Sequence, residues 1–267
     1  MAVLYHPPPG LRYNAGMTYE ALVRYYDLEN AEFTEDLDYW LELAEEYGDP
    51  ILELGCGTGR VLLNLARRGH ALTGLDNAPE MLARLRTRLD AATGRHLAAA
   101  PTLVEGDMTT FDLGRTFQLA LMPFNTFMHL LTAEAQLAAL TRIRRHLAPG
   151  AALALDMPNP GEAYAAHEQG LTLERTFADG ERTVQQFSTI SLDRAAQLAR
   201  ITWLYDSTGT ADDVHRTIVP LTLRYTFPGE MRLLLERAGF AQCHFYGDYD
   251  RSPFADGAPR FLVLAVA

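Results

Sequence analysis

Ile51-Leu52-Glu53-Leu54-Gly55-Cys56-Gly57-Thr58-Gly59 carries a short apolar run directly into three alternating glycines. Ile51, Leu52 and Leu54 suit a buried parallel strand. The glycines remove Cβ atoms where the backbone must turn tightly and let a ligand approach. The following run, Arg60 to Arg68, sets Val61, Leu62, Leu65 and Ala66 at helical spacing, and Gly69 closes that helix. A second apolar run, Ala71 to Leu75, ends in Asp76, about 20 residues beyond the first glycine, the interval at which a carboxylate meets a ribose. The spacing predicts a βαβ unit with a nucleotide-type ligand at the glycine turn. A dinucleotide fingerprint reads G-x-G-x-x-G, and Arg60 stands where its last glycine belongs, so the loop is not arranged around two phosphates.

On these residues, Glu53-Leu54-Gly55-Cys56-Gly57-Thr58-Gly59 followed by Asp76, the chain resembles the class I S-adenosylmethionine-dependent methyltransferases of small-molecule type. The resemblance implies that the glycine loop passes under the methionyl part of the cofactor and that Asp76 takes the ribose hydroxyls. It covers about residues 50 to 157 by motif, and 228 to 267 by element order alone.

Composition bounds the alternatives. A chain of 267 residues that is 48% hydrophobic can bury a full core, in one domain with a modest insertion. Its 23 basic residues against 34 acidic ones give a net charge of -11, and every basic residue is arginine. That argues against a nucleic-acid surface and removes any lysine Schiff base or P-loop lysine. Cys56 and Cys243 make neither a disulfide framework nor a zinc site, so no metal is expected and a reducing cytoplasm is the natural location. The first ten residues have no basic or apolar leader pattern, and no apolar run reaches the length of a membrane span.

Residues 1–48 read as a helical cap. Tyr13, Tyr19, Tyr25, Tyr26, Phe33, Tyr39 and Trp40 crowd into it, and Thr34 to Tyr47 has helical periodicity with Thr34 as its N-cap. Each tyrosine alone reads as core filler; the cluster reads as a lid, offering stacking area and hydroxyls together. The resemblance implies such a lid, with Tyr26 among its cofactor contacts. Beyond Asp76, Asn77-Ala78-Pro79-Glu80 opens a helix to about Ala91, on which Met81 faces either the adenine or the core. Thr102-Leu103-Val104 then runs into Glu105-Gly106-Asp107-Met108, where Asp107 reads either as acceptor of an adenine amine, with the Met108 N–H beside it, or as a turn former.

Phe117 to Met122 is a fourth strand, opening into Pro123-Phe124-Asn125-Thr126-Phe127-Met128-His129. Ligands lie beyond the carboxyl ends of the strands of an open parallel sheet, so this segment borders the site. His129 is the candidate general base, its ordinary pKa near 6.5 suiting that task; the alternative is a histidine capping the next helix. Family members acting on amines often carry Asp or Asn before proline and an aromatic here, whereas this chain has Met122-Pro123-Phe124. A helix from Thr132 to Leu147 and a strand from Ala151 to Asp156 complete an alternation that calls for a doubly wound sheet.

From Leu171 to Tyr225 the period changes to two, as in an antiparallel meander. Phe187, Thr189 and Ser191, with Ile201 or Trp203, are the expected lining of an acceptor site, and Trp203, Tyr205 and Arg224 its expected key residues. The whole is read as an α/β, doubly wound seven-stranded Rossmann-like methyltransferase sheet with an antiparallel β insertion after strand five. The divisions are a cap at 1–48, a cofactor domain at 49–160 and 227–267, and the insertion at 161–226. The expected function is transfer of a methyl group from S-adenosylmethionine to N or O of a small-molecule acceptor. The expected cofactor contacts are Tyr26, Glu53, Gly55, Cys56, Gly57, Arg60, Asp76, Asn77, Met81, Asp107, Met108 and Pro123. A homodimer through the insertion is the one protein partner considered. A non-catalytic S-adenosylmethionine-binding protein and a nicotinamide-dependent oxidoreductase remain as rivals.

Overall fold

The computed structural model describes residues 19–92, 100–166, 169–209 and 213–267. Two helices, α1 (Tyr19–Glu29) and α2 (Leu37–Tyr47), precede β1 (Ile51–Leu54), α3 (Arg60–Arg67), β2 (Leu72–Asp76), α4 (Pro79–Ala92), β3 (Thr102–Glu105) and β4 (Phe117–Met122). After a single 3-10 turn (Thr126–His129) come α5 (Ala133–Arg145), β5 (Leu147–Pro158) and α6 (Pro160–Ala165). The strands β6 (Gln169–Asp179), β7 (Arg182–Asp193), β8 (Leu198–Thr208) and β9 (Val214–Arg224) follow, then α7 (Pro228–Ala238), β10 (Gln242–Tyr246) and β11 (Arg260–Val266).

Seven strands form one sheet in the order β10-β11-β5-β4-β1-β2-β3. β11 is antiparallel to both neighbours and the other pairs are parallel. The apolar residues of β1 divide between the two faces. Leu52 and Leu54 join the core under α5 and α7, while Ile51 joins the core under α2, α3 and α4. A strand buried on both faces needs no polar alternation, which is why its run reads as continuously apolar. The order reverses between β1 and β4, and the crevice at their carboxyl ends is where such sheets take ligands.

α2 begins later than its periodicity suggests. Thr34 is not its N-cap; Asp36 holds that position without a side-chain capping bond. The Asp36 carboxylate is committed elsewhere, accepting from Trp40 Nε1 at 2.8 Å and from both Arg60 Nη atoms at 2.5 and 2.6 Å. Arg60, the first residue of α3, also lies over the Phe33 and Phe124 rings. This buried pair fixes α2 to the start of α3.

The insertion is a separate four-stranded antiparallel sheet, β6-β7-β8-β9. Its existence and its turn after Ala178 agree with the period-two pattern, but its lining differs by one residue. Val184, Gln186 and Ser188 are buried, so Phe187, Thr189 and Ser191 point to the opposite face. In a strand of period two, a choice of parity flips every side chain, and the mixed composition of β7 offered no apolar stripe to decide it. The register gives inner rows Ile190–Ile201–Leu221 and Ser188–Trp203–Val219. Tyr25 of α1 packs into the inner face against Val184, Tyr205 and Val219, its ring stacked 4.6 Å from that of Tyr205. Tyr39 and Trp40 are core residues under the main sheet, so Tyr25, Tyr39 and Trp40 are not lid surface. Tyr13 and the side chain of Tyr19 lie outside the described residues.

Candidate active site

The carboxyl ends of β1, β2 and β3 open into a cavity of about 510 Å³. At that end the walls are Gly55, Gly57, Asp76, Asn77, Met81, Asp107 and Met108. The far end is roofed by the insertion, through Gln186, Ile190, Ile201, Trp203 and Leu221. α1 spans the two, with Tyr26 toward the first end and Glu29 toward the insertion, and Phe124, Asn125, Thr126 and His129 from the segment after β4 stand between. Two differently built ends thus share one space.

The glycine loop closes by its own hydrogen bonds. The Gly57 N–H donates to Asp76 Oδ2 at 2.7 Å and the Ala78 N–H to Oδ1 at 2.9 Å. A carboxylate has about four acceptor sites, so two amides leave capacity for ligand hydroxyls. Burial raises the Asp76 pKa, and the amides of Ala78 and Gly57 oppose that rise. Gly55 has φ +64, and a Cβ placed there would lie 2.5 Å from Thr126 Cγ2, whereas one at Gly57, φ +53, would meet open space. The close approach therefore belongs to Gly55, and Gly57 is needed for its backbone angle. Asp107 accepts the Thr109 N–H and hydroxyl on Oδ1, both at 2.7 Å, so it does cap a turn, with its side chain on the cavity wall.

Glu53, Cys56, Arg60 and Pro123 do not line the main cavity. They surround a recess of about 30 Å³, which shares Tyr26, Gly55, Phe124 and Thr126 with it. The Cys56 side chain is buried away from the cavity, where a Cβ on Gly74 would come within 2.9 Å of its Sγ; burial holds the thiol pKa high. Arg60 is spent on Asp36. Glu53 is fully buried at the end of β1, its Oε2 has no hydrogen-bond partner among the described residues, and burial pushes its pKa up to about 8 against the opposing pull of Arg60.

The segment after β4 is strained toward the cavity. Phe124 and Asn125 have φ of 52° and 65°, uncommon for side-chain-bearing residues. Asn125 Oδ1 is buried without a hydrogen-bond partner among the described residues. His129 ends the 3-10 turn and lines the cavity, and burial lowers its pKa to about 4. The ring is consequently neutral near pH 7 and a weaker base than its ordinary value suggested. Thr132, not His129, caps the next helix, accepting the Ala135 N–H at 3.2 Å.

α1 is fastened over the glycine loop. Asp27 accepts from the Thr58 hydroxyl at 2.7 Å, from Arg84 at 2.7 Å and from Arg88 at 3.1 Å. Among the cavity residues that escaped the sequence reading are Glu29, Arg175 and Gln186. Glu29 lies one helical turn beyond Tyr26, so the i, i+3 spacing on α1 was the available signal. Arg175 and Gln186 depended on the parity of β6 and β7. Of the three insertion residues expected to matter most, only Trp203 lines the cavity. Tyr205 is packed behind it, and Arg224 is buried in an ion pair with Glu230 at 2.6 Å.

A methyltransferase-domain family profile matches residues 51–150. Cypemycin N-terminal methyltransferase of a Streptomyces species is 29% identical over 218 residues, covering 81% of this chain and 82% of that protein. The dTDP-3-amino-3,4,6-trideoxy-alpha-D-glucopyranose N,N-dimethyltransferase of Streptomyces venezuelae is 32% identical over 106 residues, covering 40% of this chain and 41% of that protein. Among solved structures, the CcbJ methyltransferase from Streptomyces caelestis aligns with a TM-score of 0.70 at 25% identity, over 89% of this chain and 98% of that one. Among the described residues no helix is long and apolar enough to cross a membrane. The glycine loop, the sheet order and these relatives agree: residues 51–150 carry a methyltransferase domain within a seven-stranded Rossmann-like sheet, and the chain is similar over most of its length to known methyltransferases.

Proposed function

We propose that this methyltransferase transfers its methyl group to the amine nitrogen of a small-molecule acceptor. The single observation that carries this reading is the undivided cavity, with the Asp76 end for the cofactor and the Trp203 end for the acceptor. One relative is named as the N-terminal methyltransferase of cypemycin and another as the N,N-dimethyltransferase of a 3-amino sugar nucleotide, which supports nitrogen over oxygen.

The residues present fit S-adenosylmethionine. Buried Glu53 with an unpartnered Oε2 suits a cationic amino group, and Gly55 on the cavity wall leaves no room for a Cβ beside Thr126. In this reading Asp76 holds the ribose, Asp107, Met108 and Met81 meet the adenine, and Tyr26 with Glu53 borders the amino-acid end. When bound, S-adenosylmethionine supplies a methyl group on an electrophilic sulfonium. The chain then has to hold the acceptor nitrogen in line and keep water out, and alignment of this kind is worth about 7–11 kcal/mol of barrier. Asn125 Oδ1 and neutral His129 serve as hydrogen-bond acceptors for the acceptor's N–H groups, turning its lone pair toward the methyl. His129 is thereby an orienting group more than a strong base.

The test is a product assay with paired acceptors: 3-amino-3-deoxyglucose against glucose, and alanylalanine amide against lactoylalanine amide. Methylated amine with matching S-adenosylhomocysteine is expected. Methylation of the hydroxyl partners alone would overturn the choice of nitrogen.

The outer face of the insertion carries an apolar row, Leu173–Phe187–Leu204–Ile218, with Leu173 and Ile218 at least half exposed. This row supports a homodimer through that sheet; sedimentation as a monomer at high concentration would exclude it. Two free cysteines, one of them buried, support a cytoplasmic location.

A further inference from the structure

We infer that Glu29, with the side-chain oxygen of Gln186, forms a cation site at the acceptor end of the cavity, which receives the acceptor as its ammonium ion. The ammonium gives one proton to the Glu29 carboxylate before its nitrogen lone pair can turn to the methyl group. The inference rests on the amine reading above and adds the charge state in which the acceptor binds and the residue that selects it.

Glu29 closes α1 and reaches the cavity wall beneath the insertion. The site is built around it. Gln186 Nε2 donates to Glu29 Oε2 at 2.8 Å, and the Tyr205 hydroxyl donates to the same oxygen at 3.1 Å. Gln186 and Tyr205 are register partners on β7 and β8, and the Tyr205 ring is clamped by Tyr25. Both donors are neutral, so they orient the carboxylate without cancelling its charge. The nearest guanidinium, Arg175, bonds the Glu29 backbone carbonyl at 2.6 Å, not the carboxylate. Among the described residues Glu29 has no ion pair, and its Oε1 receives no hydrogen bond.

A second observation points to a ligand. Gln186 is 2% exposed and lines the cavity, and its Oε1 is buried with no hydrogen-bond partner. Burying an acceptor unmet is costly, an arrangement that persists when a ligand supplies the donor. A carboxylate and an amide oxygen side by side, each with vacant acceptor capacity, call for a group that carries several N–H donors and positive charge. An ammonium has both. A neutral hydroxyl has one donor and no charge, so the same site discriminates against it.

Burial raises the Glu29 pKa to about 7, against the pull of the Tyr205 and Gln186 hydrogen bonds and of Arg175. The other groups facing it are the Tyr26 phenol on its own helix and the Tyr205 phenol on β8, both raised well out of the neutral range. The charged residues that join α1 to α4, Arg84 and Arg88, are held by Asp27. Cation binding should therefore strengthen as pH rises through about 7, where Glu29 ionises.

The experiment measures affinity for cyclohexylamine and benzylamine, and for cyclohexanol and benzyl alcohol, on the protein saturated with S-adenosylhomocysteine. Both amines stay protonated between about pH 6 and pH 8, so any change over that range comes from the protein. The expected result is that each amine binds better than its alcohol, and roughly tenfold tighter at about pH 8 than at about pH 6. Glu29→Gln should lose about tenfold or more in amine affinity along with the pH dependence, Glu29→Asp should fall between, and S-adenosylhomocysteine affinity should not move. Amine affinity in a folded Glu29→Gln protein within twofold of wild type, or no preference for amine over alcohol in wild type, overturns the inference. Should Glu29→Gln fail to fold, the wild-type pH profile and Glu29→Asp still decide. Failure to methylate any amine would sink the functional reading while leaving this binding result to stand by itself.

Discussion

Gly55 and Gly57 look interchangeable in the motif, yet they do different work. A side chain at Gly55 would strike Thr126, while one at Gly57 meets only the strain of a positive φ. Gly55→Ala should therefore weaken cofactor binding by at least tenfold, and Gly57→Ala by a few-fold, corresponding to about 1 kcal/mol of backbone strain. Adding Thr126→Ala should restore part of the Gly55→Ala loss, which calorimetry against S-adenosylhomocysteine can read. Equal losses at both glycines, or no rescue, would contradict this division. Glu53 and Glu29 make a second prediction at this scale. Their folded pKa values, about 8 and about 7, lie above the ordinary carboxylate value, so the folded state holds protons that the unfolded chain has released. The stability they contribute is fully present below the ordinary glutamate pKa of about 4.3 and is lost as pH rises from there to about 7 to 8. The Tm of the ligand-free protein should fall over that range, and Glu53→Gln should flatten the fall and exceed wild type at the alkaline end. A Tm that rises with pH would reject the assignment.

At the scale of elements, what could be read from the chain depended on whether one property fixed the answer. The β1 turn was legible because glycine spacing and the interval to Asp76 have few other uses. The four strands of the insertion were legible as strands, since turns and period two suffice for that. Which face looked inward was not, because Phe187 and Gln186 are both tolerable lining and only the docking of α1 selects Gln186. Of the aromatics read as a lid, Tyr39 and Trp40 fill core, Tyr25 fastens the insertion, and among the described ones Tyr26 alone lines the cavity. Arg60 was read as a cofactor contact from its place in the motif, whereas its partner Asp36 lies 24 residues away, beyond any local pattern. The insertion yields its own prediction. Trp203 lines the cavity from the insertion and Asp76 from the main sheet, so Trp203→Ala should raise acceptor KM about tenfold and leave cofactor affinity within twofold, by analogy with the loss of a buried aromatic anchor. Equal loss of both would mean that the insertion braces the main sheet instead of walling the acceptor.

Over the whole molecule, one short helix bridges two sheets built on different rules, beside the direct packing of Ile201, Leu221 and Leu223 on the main core. α1 is fixed to the glycine loop and α4 through Asp27, and to the insertion through Tyr25 and through Arg24 with Asp179 at 3.0 Å. It therefore carries Tyr26 at the cofactor end and Glu29 at the acceptor end on a common rigid turn. The central claim is that both ligands occupy one cavity, the acceptor nitrogen between the Asp76 end and Trp203. A crystal structure of the ternary complex with S-adenosylhomocysteine and a turned-over amine tests this most directly. The nitrogen is expected inside the cavity, beside Asn125 and His129, facing the sulfur with room for one methyl group in line. An amine bound outside the cavity, or inside it with the insertion making no contact, would contradict it.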